Sequence, residues 1–174
     1  MSKTYHQSLG REYYSIVVAQ YKTKGFGAGD EENLDWALGV LVDEPKVDGR
    51  VYHAMPGPPQ LEWHGSGGDV AWTVSTADKV SFTESPRCLG GVRIGTITRD
   101  ELTEFEMRVL GVDPRLKSGE WTSRDWVTEC ILVMQNRGWV PLGVEHGLLP
   151  LLRRASSLTE QDGLRPALIT FPGL

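Results

Sequence analysis

Apolar residues along this chain keep one rhythm up to residue 97 and another beyond it, and this ordering limits the fold more than any other feature of the sequence. Tyr14, Ile16 and Val18 alternate with Tyr13, Ser15 and Val17, the period of two that belongs to a strand. Trp36 to Asp43 and Arg50 to Met55 read as the next two strands. The segment between them, Glu44-Pro45-Lys46-Val47-Asp48-Gly49, is a hairpin-like connection ending in Asp-Gly. Pro56-Gly57-Pro58-Pro59 stops the third strand, because proline has no N–H for a ladder. A short strand is allowed over Leu61 to His64. Gly65-Ser66-Gly67-Gly68 separates it from a further strand within Val70 to Val80, and Cys88 to Ile97 is the last, weakened by Gly90 and Gly91.

Helical signals follow. Thr98-Arg99-Asp100-Glu101 is a capping-box pattern, with Leu102, Phe105, Val109 and Leu110 as one apolar stripe behind it. Thr122 and Asp125 repeat the capping arrangement ahead of Trp126, Val127, Cys130, Ile131 and Met134, and Gly138 ends that helix. A third helix is expected to include Pro150 to Leu158, with Pro150 as its first residue or as a kink. The tail from Asp162 to Leu174 is rich in Gly and Pro and reads as irregular. Strands first and helices later predict a single α+β domain over residues 1–174: a mostly antiparallel sheet with helices packed on one side.

Composition narrows the function. The net charge of −5 and a pI near 5.4 offer no basic field to a nucleic-acid backbone, so nucleic-acid partners are not expected. Met1 to Arg11 lacks the apolar stretch of a signal peptide, and no segment approaches the roughly 20 apolar residues that span a bilayer. A cytoplasmic protein with two reduced, buried thiols, Cys88 and Cys130, is the expectation. Four scattered histidines and two distant cysteines give no metal-ligand spacing, and neither a metal nor a cofactor is expected. Gly25-x-Gly27-x-Gly29 is not a phosphate loop, since Asp30, Glu31 and Glu32 follow at once and no apolar helix opens there. Asp100, Glu101, Glu104 and Glu106 are most simply the solvated face and first turn of a helix.

Two short stretches carry a resemblance. Gly49-Arg50-Val51-Tyr52-His53-Ala54, followed much later by Thr122-Ser123-Arg124-Asp125-Trp126-Val127, is similar to the pattern of the circularly permuted papain-like NlpC/P60 superfamily, and in detail to small fungal proteins of that kind. In that family a strand histidine comes first, and an Asn-Cys-x-x-Trp/Phe-Val motif then opens the helix that carries the nucleophile. Trp36-Ala37-Leu38, His53 and Trp126-Val127 match, over roughly residues 35 to 140, whereas Thr122 and Ser123 stand where Asn and Cys would be. The resemblance implies a permuted NlpC/P60-like fold and a pocket at His53 and Ser123. It does not carry amide hydrolysis with it. A cysteine at a helix N-terminus becomes a thiolate, whereas a serine stays protonated and needs an oriented base.

The candidate catalytic residues are therefore His53 and Ser123. Each has a plainer reading, His53 as a satisfied strand histidine and Ser123 as a second capping hydroxyl. Most of the six tryptophans belong to a core, but Trp63 beside a Gly-rich loop and Trp121 before the helix start are candidates for an aromatic wall. Tyr52, His64 and Trp126 complete the predicted substrate-binding set. Such a site, with an apolar small molecule as partner, suits a cofactor-free cyclase or isomerase of fungal secondary metabolism, a pericyclic Diels–Alder-type reaction included. That step is by analogy with small adapted scaffolds. A serine-dependent hydrolase or acyltransferase using Ser123 and His53, and a ligand-binding protein without turnover, are the other readings.

Overall fold

Alternation in the first half of the chain becomes a sheet, and the helical stripes of the second half lie across one of its faces. The computed structural model describes residues 12–43, 46–57, 72–82, 84–114, 121–163 and 165–174. In chain order the elements are β1 (Tyr13–Tyr21), β2 (Asp35–Asp43), β3 (Asp48–Pro56), β4 (Trp72–Ser81), β5 (Cys88–Thr98), α1 (Leu102–Leu110), α2 (Ser123–Asn136), α3 (Val144–Asp162) and β6 (Leu168–Thr170). The sheet runs β4-β3-β2-β1-β5-β6, antiparallel except for β6, which lies parallel to β5. This is the expected α+β architecture. The strand predicted over Leu61 to His64 lies outside the described residues.

One face of the sheet holds the main core. Ile16 and Val18 of β1, Trp36, Leu38 and Val40 of β2, Tyr52 and Ala54 of β3, and Val92 and Ile94 of β5 pack against the helices. From α2 come Trp126, Val127, Cys130, Ile131 and Met134, the stripe read from the sequence, and all are fully buried. Each such side chain contributes roughly 1.5–3 kcal/mol of apolar transfer. Both capping boxes form. Thr98 N–H and Oγ1 each donate to Glu101 Oε2 at 2.8 Å, and Thr122 N–H and Oγ1 each donate to Asp125 Oδ2 at 2.8 Å.

Among the described residues the opposite face carries no helix, yet it is not fully solvated. Val17, Ala19, Ala37, Leu41 and Val51 are buried there beneath Phe82, which follows β4 and folds back over the sheet. A Cβ on Gly39 would lie 2.6 Å from Phe82 Cζ, so β2 needs a glycine where the ring crosses it. With apolar neighbours on both sides, β2 reads as a continuous apolar run.

Three boundaries differ from the sequence reading or sharpen it. Asp48 and Gly49 already belong to β3, paired with Asp43 and Leu41, so the turn falls before the Asp-Gly pair. Helix α3 starts at Val144, so of the two readings of Pro150, first residue or internal, the structure has the internal one. Its buried stripe of Val144, Leu148, Leu152 and Ala155 supplies enough apolar contact to tolerate the missing N–H. The tail is not wholly irregular either. Leu168 to Thr170 pair with Gly91 to Arg93, and the Gly91 N–H donates to the Ala167 carbonyl at 2.9 Å.

Both cysteines are free and buried, and burial raises the two thiols, that of Cys88 to about 11. Among the described residues no helix is long and apolar enough to cross a membrane. The link between α2 and α3 presses on β5, where Thr96 N–H donates to the Trp139 carbonyl. A Cβ on Gly95 would come within 2.1 Å of that oxygen. Gly95→Ala is thus expected to destabilise the protein by about 1–3 kcal/mol in urea unfolding, the usual range for forced overpacking.

Candidate functional site

The N-terminus of α2 is built from sequence outward. Thr122 and Asp125 satisfy each other and open the helix, which leaves Ser123 as its first residue, turned inward and 2% exposed. Its Oγ accepts the Trp36 N–H of β2 at 3.1 Å and sits 3.5 Å from Asp35 Oδ1, to which it donates. One hydroxyl therefore continues the hydrogen bonding of the sheet and directs its proton at a carboxylate. That is a seam between α2 and β2. A nucleophilic serine gives its proton to a general base, and this hydroxyl directs its proton at Asp35 and not at an imidazole.

The predicted pairing of Ser123 with His53 is not formed. Tyr52 and Ala54 of β3 point into the helix-covered core, so His53, between them, leaves the other face of the sheet. Asp35 is the side chain that meets Ser123, and sequence reasoning missed it. It directly precedes the Trp36-Ala37-Leu38 run, but a carboxylate at a strand start reads as solvated until a helix is brought against it.

The predicted substrate-binding residues separate as well. Trp126 is fully buried, and its Nε1–H donates to the Val112 carbonyl at 3.0 Å, which makes it a core residue. Tyr52 is also buried. Its hydroxyl donates to Glu106 Oε1 at 2.8 Å, beside the Arg50–Glu106 ion pair, and burial with that bond holds the phenol protonated. Trp121 packs edge-on against Trp72, with ring centroids 5.0 Å apart, and its Nε1–H donates to Glu129 Oε1 at 3.0 Å. Trp72, which the sequence did not single out, lines a cavity of about 430 Å3 with Val74, Leu110 and Pro114. Trp63 and His64 lie outside the described residues.

His53 lines a cavity of about 260 Å3 on the sheet face opposite the helix-covered core. Its apolar wall is Ala37, Val51, Ala77 and Val80, and its polar groups are Tyr21, Ser75, Ser85 and Arg87. The Tyr21 and His53 rings lie with centroids 6.5 Å apart. His53 Nε2 is buried and has no hydrogen-bond partner among the described residues. Burial lowers the imidazole's proton affinity, the Arg87 charge lowers it further, and the Asp35 carboxylate offsets part of this. Burial also pushes the Tyr21 phenol up. Near neutral pH the cavity thus holds an uncharged imidazole, a protonated phenol and a guanidinium. Those groups can accept a proton and return it.

Other loci are already satisfied from within. The Gly25–Gly29 loop spends its amides on its own acids, Gly27 N–H on Asp30 Oδ2 at 3.2 Å and Gly29 N–H on Glu31 Oε1 at 3.0 Å. Glu101 caps α1 and accepts Trp139 Nε1–H, while Glu104 pairs with Arg108 and Arg137. Among the described residues no three His, Cys, Asp or Glu side chains gather as a metal site. Compared with known proteins, the chain matches no family model, no curated protein and no solved structure.

Two outcomes follow from this geometry. Ser123→Ala leaves the Trp36 N–H without a partner, and chemical denaturation should register a loss of about 1–3 kcal/mol. The unfolded chain binds a proton at the ordinary imidazole value of 6.5, whereas folding holds His53 below it. Stability should therefore fall as pH drops through the window just below 6.5, and His53→Gln should remove that slope from a series of urea midpoints.

Proposed function

We propose that this protein is a cofactor-free small-molecule enzyme, an isomerase or cyclase, working in the cavity around His53. The observation that carries the reading is His53 Nε2, buried at the cavity wall with no partner among the described residues. Leaving such an atom unsatisfied costs about 1–3 kcal/mol, a cost that a bound ligand's polar group would remove. An uncharged imidazole beside a protonated phenol is poised for proton transfer near neutral pH.

At about 260 Å3 the cavity is smaller than the roughly 300–1,000 Å3 of sites for drug-sized ligands, so the substrate is compact. That size favours a proton shift or closure of a small ring over folding a long polyene. A step in fungal secondary metabolism, a pericyclic one included, stays within this reading. So does a permuted NlpC/P60-like ancestry, with Ser123 serving as a structural hydroxyl in place of the sulfur. A serine hydrolase asks more of Ser123, whose oxygen accepts the Trp36 N–H and whose closest acidic group is Asp35.

The test is incubation with fungal metabolite extracts, followed by mass spectrometry. Rearranged products of unchanged mass are expected from the wild type, and Ser123→Ala should retain the conversion. His53→Gln should lose it by about 100-fold or more, the usual contribution of a general acid–base group. Products heavier by one water would sink the isomerase reading, as would full activity of His53→Gln.

A further inference from the structure

We infer that the molecule bound beside His53 is a compact carboxylate, anchored by Arg87. The inference rests on the reading of that cavity as the substrate site. Arg87 is a fixed cation: its Nε and Nη2 both donate to the Lys22 carbonyl, at 3.2 and 2.8 Å, which sets the guanidinium plane. Its Nη1 has no partner among the described residues, so donors of a pinned charge remain at the cavity wall. Ser75 and Ser85 add hydroxyls along the same wall.

The rest of the lining fixes the shape and charge of the occupant. Ala37, Val51, Ala77 and Val80 ask for an apolar body. Asp35 stands opposite Tyr21 in the β1–β2 register, and the Tyr21 ring in turn contacts His53. An anion is drawn to the guanidinium, and the uncharged part of the ligand lies along the apolar wall. A single guanidinium with two of its nitrogens committed balances one negative charge. A phosphate dianion would carry a second charge that no other cation of the described cavity wall balances, so the monoanionic carboxylate is the better match.

The probe is benzoate, with benzamide as its uncharged twin and phenyl phosphate as the dianion. Each is titrated into protein carrying 13C,15N-labelled histidine, and the His53 ring signals are followed. Benzoate should shift them saturably and bind at least about tenfold more tightly than benzamide, the least that a charge-assisted hydrogen bond contributes. Arg87→Gln should erase the preference, and Arg87→Lys should restore part of it. The benzoate-to-benzamide ratio in the wild type needs no variant to fold. Equal binding of the two, or tighter binding of phenyl phosphate, overturns the carboxylate while leaving the cavity a ligand site. No shift of His53 with any probe overturns both this inference and the site beneath it.

Discussion

Neighbouring side chains on a strand leave opposite faces of the sheet, and in β3 this alternation sends Tyr52 against Phe105 and Glu106 of α1 and His53 into the cavity on the other side. A shift of one residue in the register would exchange the two. Register is held by the core: Tyr52 and Ala54 share the helix-covered face with Trp36, Leu38 and Trp126, and none of those could be turned to water cheaply. The placement of His53 is thus a consequence of packing that it takes no part in.

The seam between α2 and β2 works in the same way. Ser123 lies where a helix gathers unpaired N–H groups, a place suited to an anion or an oxyanion. Here the capping box of Thr122 and Asp125 meets part of that demand, and the Ser123 hydroxyl is spent on the Trp36 N–H and Asp35. A sulfur at this position would be a weaker acceptor for the same N–H. The hydroxyl favours docking of helix on sheet, and the proposed site lies on the far side, around an imidazole whose Nε2 has no partner among the described residues.

The parts of the fold that were legible are those whose cause is local. The capping boxes at Thr98 and Thr122 join residues three apart, and the apolar stripe of α2 repeats every turn, so both can be read from a short window. The start of α3 was hidden because Gly147 and Pro150 mask a stripe spaced four, four and three residues apart. The pairing of β6 with β5 was hidden for a different reason. A parallel strand depends on a partner more than seventy residues away, and three residues carry no pattern.

For the candidate site the division is sharper. The sequence by itself determined that His53 stands on a strand, that Ser123 opens a buried helix, and that a sheet-forming half precedes a helical half, because each depends on spacing within about a dozen residues. Only the tertiary structure decided which faces those residues share. It put Asp35 rather than His53 against Ser123, and it gathered Tyr21, Ser75 and Arg87 around the imidazole from three separate segments. The reason is physical: the direction of a strand residue is set by which face finds apolar cover, and that cover comes from helices and from Phe82, far along the chain.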